Sequence, residues 1–270
     1  PDDLSVILVH AMNPYGFSHD RRVNEDNVDL NRNFLDFSAA ELPQSDYAKI
    51  HQYVLPEDWG GPAQQAANKA LAQYIEEHGM RAFQAAVSGG QYLHEDGIFF
   101  GGHGRTWSNE TFRSVLQDYA KAAETVVFLD FHTGLGPYGY GELISLGSLD
   151  QKALVREWFG DQVTDPDAGT SSSAPVVGTV GHGVADVLTD ASIAFIALEY
   201  GTRDINQVLT ALRADNWLYH KGDVPSDLGK SIKAQVRDAF YPDKDDWKEM
   251  IWDRAREVID LALAGLKNAD

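Results

Sequence analysis

At 270 residues, 43% of them hydrophobic, the chain is long enough for one large α/β domain with a substantial core. Its formal net charge of -19 argues against nucleic acid as a partner, because phosphate recognition needs clustered Lys and Arg; the acidic sign by itself is read as solubility. The absence of cysteine excludes disulfides and thiolate metal sites, leaving His, Asp and Glu as the strong ligands, and no apolar stretch approaches the ~20 residues of a membrane span.

The chain opens at Pro1-Asp2-Asp3 without an initiator Met or a leader-like apolar segment, which is read as a processed, cloned or clipped end. Leu4 to Met12 is a short apolar run stopped by Asn13-Pro14, the pattern of a buried strand. A polar loop follows, from Tyr15 to about Asn33. Helical spacing from Gln64 to about Val87 is closed by Gly89-Gly90, and Ser108-Asn109-Glu110 starts a second helix to about Ala123. Thr125 to Phe131 reads as a fully buried strand that delivers His132. Gly141 to Leu146 is a further strand, Asp150 to Phe159 a helix, and residues 162–183 a Ser-, Gly- and Asp-rich loop. Ser192 to Leu198 is a third buried strand ending at Glu199, and the remainder is helical. There, Trp247, Met250, Ile251, Ala255, Val258, Ile259, Ala262 and Leu266 fall on one face. Continuous apolar strands alternating with helices predict an α/β fold: a mainly parallel, mixed central sheet with helices on both faces, in one domain over residues 1–270.

In open α/β sheets ligands bind beyond the carboxyl ends of the strands, and Asn13, His132 and Glu199 each follow an apolar strand run directly. A histidine in that position is either a buried, hydrogen-bonded side chain or a ligand; the Gly- and Tyr-rich sequel Thr133-Gly134-Leu135-Gly136 lets the backbone approach a ligand closely. Glu199 is either satisfied by backbone amides or Arg203, or is a partly desolvated carboxylate with a pKa raised toward general-base work. Asn31 and Arg32 form a polar turn, or else a guanidinium fork for a substrate carboxylate.

In order along the chain, Asn13-Pro14-Tyr15-Gly16, Arg21-Arg22-Val23-Asn24-Glu25, Asp29-Leu30-Asn31-Arg32-Asn33-Phe34, Asp130-Phe131-His132-Thr133-Gly134 and Glu199-Tyr200-Gly201 resemble the zinc carboxypeptidase superfamily, and within it a poorly characterised bacterial branch. The resemblance spans residues 1 to about 204 and implies a carboxypeptidase-like fold with one zinc site. By it, His132 resembles the third zinc ligand and Glu199 the general base that activates the metal-bound water. Arg22 resembles the arginine that polarises the scissile carbonyl. Asn31 and Arg32 resemble the pair that binds the substrate's terminal carboxylate, and Asp29 the acid that orients a zinc-binding histidine. The implied partner is a small peptide, cleaved beside a free carboxylate. The rival reading is a deacylase of N-acyl amino acids similar to the aspartoacylase and succinylglutamate desuccinylase branch, which the Asp-Phe-His-Thr and Glu-x-Gly forms fit well.

Two departures stand out. No His is followed three residues later by Glu, so the His-x-x-Glu pair that supplies the other two zinc ligands is absent. An upstream segment is expected to carry it; alternatively His10, His94 or His103 substitutes, or the chain is a metal-free binding relic. The tyrosine of digestive carboxypeptidases also has no motif counterpart, although Tyr138 and Tyr140 are chemically suitable. With no leader-like segment, a cytoplasmic location is the default expectation, and oligomeric state has no signature.

Overall fold

A computed structural model describes residues 4–269, so that Pro1-Asp2-Asp3 lies outside the described residues. In chain order the elements are α1 (Pro14–Ser18), a 3-10 turn (Leu30–Arg32), α2 (Tyr47–Val54), α3 (Pro62–His78), α4 (Met80–Ser88), α5 (Trp107–Tyr119), β1 (Thr125–Tyr138), β2 (Gly141–Ser145), α6 (Leu149–Phe159), β3 (Val163–Thr164), α7 (Val180–Val187), β4 (Ser192–Gly201), α8 (Ile205–Lys221), α9 (Asp227–Phe240) and α10 (Asp245–Asn268). The four strands form one mixed sheet in the order β1-β4-β2-β3. The pairs β1–β4 and β2–β3 are parallel, whereas β2–β4 is antiparallel. The expected α/β class is the observed one.

Alternation along the strands divides the core into two layers. Ile193, Phe195 and Ala197 of β4 join Ile144, Val126 and Phe128 against α5 and α7, with Phe34, Phe112, Leu116, Val180 and Val184. The intervening Ala194, Ile196, Leu198 and Tyr200 face α6 and α10 through Val155, Phe159, Trp247 and Val258. A strand with both faces covered must be apolar at every position, which is why Ser192–Leu198 shows no polar alternation. The same period of two puts Glu199 on the face of Ala197, beyond the apolar layer.

Local chemistry sets several boundaries. The expected helix over 64–87 is two helices, because Gly79 at φ +84° breaks it between α3 and α4. Thr106 caps α5 by accepting from the Asn109 amide, two residues ahead of the predicted start at Ser108. The loop expected over 162–183 contains β3, and α7 begins near its end. Of the C-terminal stripe, Trp247, Val258 and Ala262 are buried, while Met250 and Ile259 lie at its exposed margin.

Leu4 to Met12 corrects the sequence reading. The segment forms no strand, and Val6, Ile7, Leu8 and Val9 are exposed, Leu8 at 90%. It pairs with none of the four strands, and an extended segment without a ladder or a covered face has nothing to offset its ordering.

Candidate functional site

The site is assembled by register. On the parallel pair β1–β4, His132 lies opposite Glu199, and on the antiparallel side Glu199 lies opposite Glu142 of β2. Side chains at paired positions share a face, so His132, Glu199 and Glu142 form a polar row above the apolar layer, joined by Asp130 two residues before His132. Beyond Thr133 the register slips until Tyr138 meets Gly201. Gly134, at φ +139°, lies in this irregular stretch. The chain there turns the Leu135 amide onto Glu199 Oε1 at 2.9 Å.

The electrostatics follow from burial. Glu199 is 9% exposed, and desolvation pushes its pKa up against the opposing pull of His132, the Leu135 amide and Arg22, with Glu142 adding to the rise. Burial by itself would lower the His132 pKa, but the carboxylates of Asp130 and Glu199 outweigh it and carry it up to about 9. His132 Nε2 lies 2.7 Å from Asp130 Oδ2, yet the contact is poorly directed, and this buried nitrogen has no hydrogen-bond partner. Glu142 is engaged elsewhere: it accepts from Thr164 Oγ1 at 2.5 Å, from the Ser172 amide at 3.1 Å and from the Ser172 hydroxyl.

Arg22 approaches from the loop before the 3-10 turn. Asn13 holds this loop by accepting from the Gly16 amide and donating to the Arg22 carbonyl, which gives the Asn-Pro-Tyr-Gly run a local purpose. Arg22 Nε donates to Asp29 Oδ2 at 2.8 Å, and its guanidinium carbon lies 5.0 Å from the centre of the Phe99 ring. Asp29 is buried; desolvation raises its pKa, but the guanidiniums of Arg22 and Arg32, the Arg22 hydrogen bond and the Asn31 amide overcome that and hold it below its ordinary value. The structure therefore brings together His132, Glu199, Arg22 and Asp29.

The other predicted residues are placed differently. Asn31 Oδ1 accepts from the Val180 amide at 2.9 Å, at the start of α7. Arg32 is buried, donating from Nε and Nη2 to Ser88 O at 3.0 and 2.6 Å and from Nη1 to Asn31 O at 2.6 Å. Burial lowers its pKa to about 10 despite the nearby Asp29. Tyr138 packs on the sheet face that carries Trp247, with its hydroxyl donating to Asp246 at 3.1 Å, and Tyr140 is half exposed. Neither tyrosine joins the His132 row. Arg203, the alternative partner for Glu199, instead makes a two-pronged pair with Asp238.

Of the substitute histidines, His10 is exposed against Phe17 and His103 pairs with exposed Glu95 at 3.0 Å. His94 stacks on His51, with ring centres 3.9 Å apart, and the two belong with Asp96 to a group that could hold a metal ion. The sequence reading named His94 and missed the other two. His94-x-Asp96-Gly97 was a visible turn, but His51 lies far upstream on α2 at no ligand-like spacing.

An α/β protein with a half-buried histidine and a buried glutamate paired across two parallel strands, and an arginine beside them, is the class these features define. The chain matches a family described as Protein of unknown function (DUF2817) over residues 1–254, and it belongs to that family. Neither a curated protein nor a solved structure matches it. Among the described residues no helix is long and apolar enough to cross a membrane.

Proposed function

We propose that the protein is a zinc-dependent hydrolase that cleaves a peptide or peptide-like amide next to a free carboxylate. One observation carries the reading: the cross-strand pair of His132 and Glu199, whose polar capacity the protein leaves partly unused. The donors suit zinc, since His132 Nε2 is sealed from water beside Asp130 Oδ2 without a well-directed hydrogen bond and no thiolate competes. His132 would hold the ion as one of its protein ligands, and residues 1–270 contain no His-x-x-Glu pair. When bound, zinc supplies Lewis acidity for water and for the scissile carbonyl.

The chain's own residues do the rest. Glu199 Oε1 is held by the Leu135 amide, which leaves Oε2 to take the proton from water and pass it to the leaving amine. Arg22, with Nε fixed on Asp29, turns its terminal nitrogens to the developing oxyanion. Arg32 and Asn31 meet the substrate carboxylate only by giving up bonds to Ser88 O, Asn31 O and the Val180 amide.

The test is turnover of a panel of dipeptides, carboxyl-blocked peptides and N-acyl amino acids by zinc-loaded protein. Cleavage of dipeptides with free carboxylates, lost in Glu199→Gln at unchanged metal content, is expected. Turnover of N-acyl amino acids alone would replace the peptidase by a deacylase, and full activity in Glu199→Gln would overturn both.

A further inference from the structure

Away from the sheet, the loop after α4 folds back on α2 and is fixed from several directions. Gln91 Oε1 accepts from the Leu93 and His94 amides at 3.1 and 2.8 Å, and its Nε2 donates to His94 O at 2.7 Å. Asn27 Nδ2 donates to Glu95 O and Gly97 O at 2.9 Å each, and Asn216 Nδ2 to Asp96 O at 2.7 Å. Tyr47 of α2 accepts from the Ile98 amide at 2.9 Å. A loop backbone so thoroughly bonded presents its side chains in set positions, and the two that meet α2 are His94 and Asp96.

There they face His51. The two imidazoles stack with planes 18° apart, and Asp96 Oδ1 lies 3.2 Å from His51 Nε2. One ligand atom from each of the three residues falls within 4.8 Å of the others. Ligands of one tetrahedral zinc stand roughly 3.3–3.5 Å apart, given bonds of about 2.0–2.2 Å, so closing the set takes about an ångström of side-chain motion. The rings must also open from the stack for their lone pairs to converge. His51 permits this: its Nδ1 is buried with no hydrogen-bond partner, so nothing on that edge anchors the ring, and the chain leaves a polar atom unsatisfied there. The Asp96 side chain is 50% exposed, which gives an ion a way in. Lys221, the cation of α8 that acts on His51, is paired with Glu57 at 3.0 Å.

We propose that His51, His94 and Asp96 form a binding site for one zinc-class transition ion, separate from the His132 centre, that clamps α2 to the loop over 91–99. Two imidazoles and one carboxylate favour Zn²⁺, Ni²⁺ or Co²⁺ over Mg²⁺ and Ca²⁺, which take oxygen ligands. The clamped loop ends at Phe99, a bulky residue at φ +54° whose ring centre lies 5.0 Å from the Arg22 guanidinium and 5.4 Å from that of Arg32. The ion thus braces the platform beneath both arginines. This inference stands independently of the proposed hydrolase activity.

The experiment titrates the chelator-stripped full chain with ZnCl2, reading bound metal by elemental analysis and Tm by thermal unfolding, with MgCl2 in parallel. At about a hundredfold excess over Kd the clamp raises Tm by roughly 5–10 °C, and magnesium gives no rise. His94→Ala, His51→Ala and Asp96→Asn each remove this site's rise and one equivalent of zinc, while His132→Ala leaves that equivalent and its rise in place, whatever zinc the His132 centre holds. His94 and Asp96 are not part of the core, so their apo variants retain the wild-type apo Tm and the comparison does not depend on His51. The site is refuted if zinc leaves Tm unchanged, or if the rise survives His94→Ala and Asp96→Asn and is lost in His132→Ala.

Discussion

The Asn31-Arg32 turn and the cross-strand pair His132 and Glu199 carry comparable polar chemistry, yet the protein satisfies them in opposite ways. Arg32 spends its guanidinium on Ser88 O and Asn31 O, and Asn31 spends its carbonyl oxygen on the amide of Val180. The cross-strand groups are instead under-satisfied: His132 Nε2 is buried beside Asp130 without a well-directed hydrogen bond, and Glu199 is desolvated with its pKa raised. A buried polar group with full hydrogen bonding is stabilising, whereas one left short costs stability and persists where a ligand or reaction uses it. Arg22 stands between the two cases, with Nε committed to Asp29 and its side chain 26% exposed.

That contrast can be broken by substitution. The largest expected effect is on turnover: Glu199→Gln lowers the rate of the proposed hydrolysis by about 10²–10⁴-fold, measured as kcat, while Tm at pH 7 stays at or above wild type. The sign follows from linkage, because a carboxylate whose folded pKa is raised loses stability as pH rises through that pKa, and Gln never ionises. Arg32→Ala should behave in reverse, with a loss of about 3–5 kcal/mol and a Tm lower by roughly 10 °C, since Ser88 O and Asn31 O lose their donor. An Arg32→Ala protein with unchanged Tm and impaired turnover would move this residue into the substrate-gripping class.

A smaller effect is expected from Asp29. Its pKa is held below the ordinary 3.8, so its contribution is complete above that value and is lost as pH falls through the folded pKa. Thermal unfolding of wild type and Asp29→Asn between pH 3 and pH 7 should show a stability gap that closes toward the acid end; a gap independent of pH would mean that the carboxylate charge is not what Arg22 and Arg32 stabilise. The smallest change is Asn31→Ala, about 1 kcal/mol for the loss of the acceptor at the start of α7, read from the urea midpoint.

The fold was legible where a segment is buried on both faces or capped by its own residues. Ser192–Leu198 reads as a strand because it is apolar after its first residue, and α5 as a helix because Ser108-Asn109-Glu110 opens a helical pattern. Thr125–Phe131 reads as a fully buried strand but is half-buried at the edge of the sheet, with Phe131 51% exposed, since a terminal strand is covered less than a central one. Leu4–Met12 has the same apolar character as Ser192–Leu198 and forms no strand. Apolarity measures the capacity to be buried, while a strand also needs a neighbour to bond. The helix break at Gly79 was missed because an isolated glycine in a helical pattern is compatible with continuation, and only its φ decides.

Of the candidate site, the sequence by itself determined which residues close an apolar run, because a run that stops at His132 or at Glu199 leaves that side chain at the margin of the core, although both strands continue beyond them. It also determined that Arg22, Asp29, Asn31 and Arg32 share one loop. Only the tertiary structure decided which of these meet. Register put His132 opposite Glu199 and Glu142 on the other side, and loop closure set Arg22 against Asp29 while Arg32 turned to main-chain carbonyls. The same folding carried His51 from α2 to His94 and Asp96. Burial follows from composition along the chain, but contacts between distant residues follow from how strands pair and loops close.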